Sequence, residues 1–278
     1  MPTFDTPGPI SVTLEFDIGS ARITAGKRTD TVVEVTPADA ADEVDVRVAE
    51  QTKVTYADGA LVVKGPRKRS VFGRTGSIDV TVEVPAGSEV RGDAPMGDFL
   101  CEGPLGDCRL KTSVGRIQVG PAASVHLKTD HGEIRLERAD GDAEVSASGR
   151  IELGSVGGAV TVKNLNGETV IGEVGGDLRA NLSNGAVTVG SALADVDVKS
   201  AHGTIRIEEL VRGRAVLQTS VGDIEVGVRE STAAWLDVHT RMGSVRNSLD
   251  TADGPGGAGE TVEVRARTQL GDIVVRRA

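Results

Sequence analysis

The chain has 278 residues, of which only 2% are aromatic and 36 are glycine. This balance excludes a core of large helices and favours many short strands, packed through small aliphatic side chains and joined at glycine turns. The formal net charge of −10 excludes the overall basic footprint of a general nucleic-acid binder. No stretch approaches the roughly 20 apolar residues of a membrane helix, so no membrane association is expected.

The start of the chain bears on its location. Residues Met1 to Asp5 have neither the basic region nor the apolar run of a secretion signal. The only cysteines are Cys101 and Cys108, too few for a disulfide framework. We therefore expect a soluble, cytoplasmic protein.

Residues 1–94 form an irregular N-terminal β region in which apolar and polar side chains alternate. Such alternation predicts short strands with one buried face. The predicted strands are Ile10–Phe16, Ala21–Ala25, Thr31–Thr36, Val44–Val48, Lys53–Tyr56, Leu61–Lys64 and Ser77–Val84. We expect them to form either the first coils of the repeat that follows or a small sheet capping it, because an open end would leave an unpaired strand edge.

Residues 95–278 contain a regular repeat in which a glycine opens a short apolar strand, as in Val114–Val119 and His202–Ile207. The marker glycines are spaced by 18, 17, 17, 18, 18, 18, 19, 21 and 28 residues. They are Gly97, Gly115, Gly132, Gly149, Gly167, Gly185, Gly203, Gly222, Gly243 and Gly271. We expect them at turns that need a positive φ or a close approach of two backbone segments.

A second strand precedes each glycine, with apolar residues seven and five positions before it, such as Val196 and Val198 before Gly203. Threonine recurs three positions before the glycine, where its hydroxyl can bind the turn. Two or three short strands in about 18 residues are too few for a propeller blade and match one coil of a stacked solenoid. The predicted fold is all-β, a single-stranded parallel β-solenoid (β-helix).

The last copy of the repeat, Leu270–Val275, lies three residues before the end of the chain. It follows a stretch rich in Gly, Asp and Pro at 249–260, which predicts a mobile loop. We recognise no capping segment after this copy.

The step Val82–Gly87, followed by serial Gly-(Asp/Glu)-Ile strands, resembles a bacterial family of β-strand repeats of unknown function, labelled "putative adhesin". The resemblance implies a β-helix, favours a right-handed one, and implies no enzymatic activity, catalytic residue or cofactor. The short aliphatic coils are also similar in architecture to the bactofilin solenoids.

A column of cations four positions before the marker glycines is the most informative candidate site. Equivalent positions stack in a solenoid, so these side chains would form a partner-binding strip for an acidic protein. A solvated face protected against aggregation is the alternative. The strip consists of Lys111, Lys128, Lys163, Lys199 and Arg267, with Gln218 and His239 in equivalent places.

A second basic cluster could contact phosphates or an acidic protein, or could be a solvated loop. It consists of Arg67, Lys68, Arg69 and Arg74, with Lys64 nearby. Nucleic-acid binding is not expected, because no aromatic stacking residues accompany the charges.

Other residues carry weaker hypotheses. We interpret the four histidines, which include His131 and His202, as surface or turn residues and expect no metal site. Cys101 and Cys108 fall at inward positions, which favours buried thiols over a disulfide or metal pair. We expect Trp235 to pack among the C-terminal coils, with ligand stacking as the alternative.

Coils this tight leave no room for the long catalytic loops of solenoid enzymes, so we expect no enzyme, no cofactor and no small-molecule substrate. The sequence favours a cytoplasmic scaffold or protein-interaction rod that binds a protein partner or self-associates. The alternatives are a regulatory partner of another protein, such as a small DNA-binding factor, and a surface adhesin.

Overall fold

A computed structural model describes residues 2–66, 75–249 and 259–278. Within these ranges the chain forms 25 strands and one short helix, so the predicted all-β class is confirmed. Contacts group the chain into two compact units, Met1–Asp140 and Gly141–Ala278, called unit 1 and unit 2 below.

The elements of unit 1 are β1 (Thr3–Asp5), β2 (Ser11–Glu15), β3 (Ile18–Gly26), β4 (Asp30–Pro37), α1 (Glu43–Gln51), β5 (Lys53–Ala57), β6 (Ala60–Lys64), β7 (Ile78–Pro85), β8 (Glu89–Glu102), β9 (Leu105–Val114), β10 (Ile117–His131) and β11 (Ile134–Ala139).

The strands of unit 2 are β12 (Ala143–Ala147), β13 (Ile151–Val156), β14 (Val160–Asn166), β15 (Thr169–Val174), β16 (Leu178–Asn184), β17 (Val187–Ala192), β18 (Val196–His202), β19 (Ile205–Leu210), β20 (Gly213–Val221), β21 (Ile224–Val228), β22 (Thr232–Met242), β23 (Val245–Asn247), β24 (Glu260–Leu270) and β25 (Ile273–Arg277).

Unit 2 is a parallel β-solenoid, as the repeat predicts. Each strand pairs with its equivalent one coil away, so that Val160 lies beside Leu178 and Leu178 beside Val196. The strand before each glycine and the strand after it build two separate ladders. Inward residues such as Val162 and Val198 are fully buried, because each coil covers the apolar face of its neighbours.

The marker glycines stack on one another at the turns. Gly203 has a φ of 147°, and a Cβ there would lie 2.0 Å from the carbonyl oxygen of Gly185 in the preceding coil. Any side chain would therefore clash with backbone, which explains the glycine period. Gly97 and Gly149 have no positive φ, and at Gly97 a Cβ would instead lie 2.7 Å from the Cβ of Ala94.

Threonines three positions before the glycine bind these turns, as predicted. Thr129 Oγ1 donates to the carbonyl of Gly115 at 3.0 Å, and Thr268 Oγ1 donates to that of Gly222 at 2.9 Å. Asn164 replaces threonine in one coil, and its Nδ2 donates to the carbonyl of Gly149 at 2.9 Å. These bonds satisfy carbonyls at turns where the strand ladder is interrupted.

Spatial order departs from chain order at the C-terminal end of unit 2. β24 pairs with β20 on one edge and with β22 on the other, and β25 lies in the same way between β21 and β23. The last copy of the repeat is thus an internal coil, and the outermost coil is formed by β22 and β23.

Unit 1 contains both arrangements that the sequence left open for residues 1–94. β2 and β3 form a coil that pairs in parallel with β8, and β6 and β7 lie on its other side. Antiparallel strands complete this end, because β5 pairs with β6 and β4 with β7. β1 then pairs antiparallel with β4.

The predicted strand Val44–Val48 is wrong, because this segment lies within α1. The carboxylate of Asp42 accepts a hydrogen bond from the Val44 N–H at 2.9 Å and caps the helix. Asp45 accepts from the backbone N–H groups of Asp39 at 3.1 Å and of Ser77 at 2.8 Å. Capping and these tertiary bonds outweigh the strand-like alternation of valines.

An ion pair in unit 2 makes stability depend on pH. Arg229 donates two hydrogen bonds to Glu209, at 2.8 and 2.9 Å, and the Ser191 hydroxyl donates a third at 3.1 Å. These bonds, that from Arg229 first, lower the pKa of Glu209. A lowered carboxyl pKa stabilises the fold above the pKa of the unfolded group, and this is lost as pH falls through the folded pKa.

We expect Glu209→Gln to lower the free energy of unfolding at neutral pH, because the glutamine side chain is uncharged and loses the ionic part of its pairing with Arg229. The difference from the parent chain should shrink as the pH falls through the lowered pKa of Glu209. Urea denaturation at a series of pH values measures it. An equal difference at neutral and strongly acidic pH would show that the substitution acts through packing alone.

Candidate functional site

The predicted strip is stacked in unit 1 as the repeat implies. Lys111 lies beside Asp93 on one side and Lys128 on the other, in register. Carboxylates lie near both lysines, with Lys111 Nζ 3.9 Å from Asp93 and Lys128 Nζ 3.6 Å from Asp130. The two like charges on adjacent coils are thus partly compensated.

The same row in unit 2 alternates cations with neutral side chains. Lys163 lies beside Asn181, which lies beside Lys199. Beyond Lys199 the row continues through Gln218, Arg267 and His239. Amides between the cations reduce like-charge repulsion along the ladder. The stacking is therefore observed within each unit, and partner binding by the strip remains a prediction. The second cluster, Arg67, Lys68, Arg69 and Arg74, lies outside the described residues.

Two strip residues, Lys199 and Arg267, border an open depression of about 620 Å³ on the outer coils of unit 2. Its lining is polar and cationic, without a carboxylate among the lining residues, which are Lys199, Ser200, Gln218, Thr219, Ser220, His239, Arg241, Arg267, Thr268 and Gln269. Such a surface favours an anionic ligand group.

The cations of this depression differ in how far they are neutralised. Lys199 Nζ is 3.5 Å from Asp197, and Arg267 Nη2 is 3.4 Å from Asp237. Arg241 is exposed and has no ion pair within the described part of the chain. Arg241 is therefore the cation most available to an incoming carboxylate.

An exposed row of apolar side chains runs beside the depression. Val221, Leu270 and Met242 are 40%, 49% and 64% exposed. Leu270 lies in register between the other two, because it pairs with Val221 on one side and with Met242 on the other. We call these three residues the apolar ladder. Three large exposed side chains on successive coils form one contiguous patch, which is typical of an interaction surface.

The repeat pattern did not predict the apolar ladder, although the sequence carries a signal for it. Each of its residues directly precedes a marker glycine. This position is polar in the other coils of unit 2, at Ser148, Asn166, Asn184 and His202, and in unit 1 it also holds the exposed Met96 and Val114. The position is exposed because the chain turns there. Aliphatic side chains at an exposed turn position are not needed for the core.

The expectation that Trp235 packs among the C-terminal coils is wrong. Its side chain is 57% exposed on β22, and the guanidinium carbon of Arg265 lies 5.9 Å from the centre of its ring. Arg265 in turn donates a hydrogen bond to Glu263. The indole therefore adds apolar surface to the outermost coil, held against a cation.

The cysteines lie in the core of unit 1, as the inward positions predict. Cys101 and Cys108 are free thiols and are 1% and 0% exposed. A hydrogen bond with Cys108, together with burial, raises the pKa of Cys101 well above its ordinary value. Because the thiolate is the reactive form, the raised pKa makes the Cys101 thiol unreactive, and burial shields both thiols from solvent. Over the described residues no three His, Cys, Asp or Glu side chains are grouped to hold a metal.

None of the helical structure within residues 2–66, 75–249 and 259–278 is long and apolar enough to span a bilayer. The comparison with curated proteins found no match.

Several solved structures are similar to the chain. A "putative cell adhesion protein" from Clostridium sporogenes ATCC 15579 is 11% identical, with a TM-score of 0.24 and coverage of 100% of this chain and 98% of that chain. A "putative adhesin" from Parabacteroides distasonis ATCC 8503 is 12% identical, with a TM-score of 0.38 and coverage of 98% and 95%. A "putative adhesin" from Parabacteroides merdae ATCC 43184 is 11% identical, with a TM-score of 0.34 and coverage of 80% of this chain and 93% of that chain.

A family model described as Toastrack DUF4097 matches residues 12–276, which is nearly the whole chain. The chain therefore belongs to the Toastrack DUF4097 family, and this confirms the family resemblance of its β-strand repeats.

Proposed function

We propose that the chain is a non-enzymatic protein-interaction module of the cytoplasm that binds its partner through the outer coils of unit 2. The apolar ladder carries this proposal. Val221, Leu270 and Met242 expose aliphatic surface on three neighbouring coils, and burial against a partner would remove that surface from water. The cationic depression beside the ladder supplies polar specificity around the apolar contact.

The placement of reactive side chains supports a binding function over catalysis. Both cysteines are buried in unit 1. His202 and His239 lie on different coils of unit 2, and His131 lies in unit 1. An acid–base or nucleophilic mechanism needs its groups within hydrogen-bond reach of each other, whereas a binding surface needs only complementary charge and shape.

The proposal is tested by capture from extract of the native host, with the purified chain immobilised. We expect a partner protein to be retained in stoichiometric amount, and we expect the double variant Leu270→Ser, Met242→Ser to lose it. Leu165→Ser is the matched control, because Leu165 is 61% exposed in the same unit but lies outside the ladder. Loss of the partner with the control variant, or its retention by the double variant, would contradict the proposal.

The same preparation separates the alternatives. Sedimentation velocity detects self-association, in which case the parent chain forms larger species that the double variant lacks. Identification of the captured protein shows whether it is a DNA-binding factor held by a regulatory partner. An adhesin would instead be recovered at the cell surface on fractionation, and that result would overturn the cytoplasmic proposal.

A further inference from the structure

The outermost strand of unit 2 has one unpaired edge. Within the described residues β22 pairs only with β24. The Met242 carbonyl accepts from the Gly271 N–H at 3.0 Å, so the peptide groups of Met242 face β24. The backbone N–H and C=O groups of successive residues point alternately to the two edges of a strand. Those of His239 and Arg241 therefore point to the edge away from β24. About half of the eleven residues of β22, the alternate set that includes His239 and Arg241, thus offer backbone hydrogen bonds to an added strand.

This edge has few of the features that natural proteins use to block strand addition. Blocked edges are short, carry proline or several charges, or bend at a bulge. β22 has no proline, and its register with β24 runs without a shift from Thr232 to Thr240. Its charged residues are Asp237 and Arg241, and Asp237 already accepts a hydrogen bond from Arg267. The strand is therefore suited to pairing.

The inward side chains of the outermost coil indicate what the added strand must carry. Val245 is 43% exposed, whereas Ile273, its neighbour in register, is fully buried. Leu236 and Val238 are half-buried, whereas their neighbours in β24 are buried. Within the part of the chain that the structure describes, no further coil covers these side chains. Aliphatic residues at every second position of an incoming strand would continue the core.

The outward side chains call for the opposite chemistry. His239 and Arg241 face outward at the depression, with Arg267 on the adjacent strand. An added strand would place its own outward residues directly beside His239 and Arg241, where carboxylates pair favourably and cations do not. A second copy of β22 would bring another Arg241 and another His239 into this surface, and its carboxylate, Asp237, already pairs with Arg267, so charge disfavours a symmetric pairing of two copies.

We propose that β22 receives an extended segment of the partner protein as an additional strand, in which aliphatic residues alternate with acidic ones. This inference rests on the proposed function and specifies the class of partner. Main-chain pairing with the edge gives affinity, and the alternating side chains give specificity. The aliphatic residues cover Leu236 and Val238, and the acidic residues pair with His239 and Arg241.

Fluorescence anisotropy with labelled synthetic peptides tests the inference. The probe is Thr-Val-Glu-Val-Glu-Val-Thr, and the comparison peptide has lysine in place of both glutamates. A third peptide keeps the probe sequence with every peptide nitrogen methylated, which retains the side chains but removes the N–H donors from both edges of the strand. Saturable binding is expected for the probe alone, and it should weaken as salt is raised.

Protein variants locate the binding. We expect Arg241→Glu to weaken probe binding by about tenfold. Lys163→Glu is the matched control, because Lys163 is a cation of the same unit, in the row that ends at His239, but lies outside the depression, and it should change the affinity by less than about twofold. Equal binding of the lysine peptide or the N-methylated peptide, no probe binding, or a loss with Lys163→Glu would overturn the inference. Retention of a ladder-dependent partner in the capture experiment would still support the proposed function.

Discussion

Replacing Gly203 by alanine is expected to lower the free energy of unfolding by about 3 kcal/mol or more. Two effects add. The φ of 147° is one that residues with a Cβ rarely adopt, and the new Cβ would lie 2.0 Å from the carbonyl oxygen of Gly185. That oxygen belongs to backbone, so relief requires neighbouring coils to separate. Urea denaturation followed by circular dichroism measures the loss.

Gly26→Ala is the control for this substitution. Gly26 ends β3 without a positive φ, and a Cβ there would meet no atom within 4 Å. The change should therefore stay within about 0.5 kcal/mol, or stabilise slightly by restricting the unfolded chain. Similar losses of unfolding free energy for both variants would mean that close backbone contact does not require glycine at the stacked turns.

Replacing Phe99 by alanine is expected to cost about 3–5 kcal/mol. The ring is 1% exposed in unit 1, and its centre lies 5.7 Å from that of Phe16. Gly92 leaves space for it, since a Cβ at Gly92 would lie 2.5 Å from the ring. The neighbours of Phe99 in register are Ala21 and Ile117, and neither side chain is long enough to fill the volume that is lost.

Phe4→Ala is the matched aromatic control. Phe4 is half-buried on β1, and its ring centre lies 5.1 Å from that of Tyr56. Less area is lost there, so the expected cost is about 1–2 kcal/mol. Denaturation curves of both variants test the comparison, and a smaller loss for Phe99→Ala than for Phe4→Ala would show that the core of unit 1 is not centred on Phe99.

The glycine period predicted the solenoid and the inward face because both follow from local geometry repeated many times. A turn that excludes any side chain demands glycine, as at Gly203, and two-residue alternation places Val196 and Val198 inward. The repeat also predicted that Lys163 and Lys199 share one row. The position of a residue within the repeat thus predicts whether it lies at a turn, in the core or on the surface.

Features that depend on the order of the coils could not be predicted in this way. β22 and β24 show the same sequence pattern before their marker glycines, Gly243 and Gly271. The repeat is therefore equally compatible with either strand as the outermost one. The only trace is the lengthened spacing of 28 residues between Gly243 and Gly271. The candidate surface follows from that order, because Val245 is exposed and Leu236 and Val238 are half-buried, whereas their neighbours in register on the adjacent coil are buried. α1 was missed for another reason, since its cap and tertiary bonds override a strand-like pattern.

Hydrogen exchange along β22, with and without the captured partner, tests the central claim most directly. In the free chain the amides of β24, which is paired on both edges, should exchange more slowly than those of His239 and Arg241 on β22. Partner binding should protect the β22 amides and leave the rest of unit 2 nearly unchanged. Protection confined to unit 1, or β22 amides as protected in the free chain as those of β24, would contradict an open coil that serves as the binding surface.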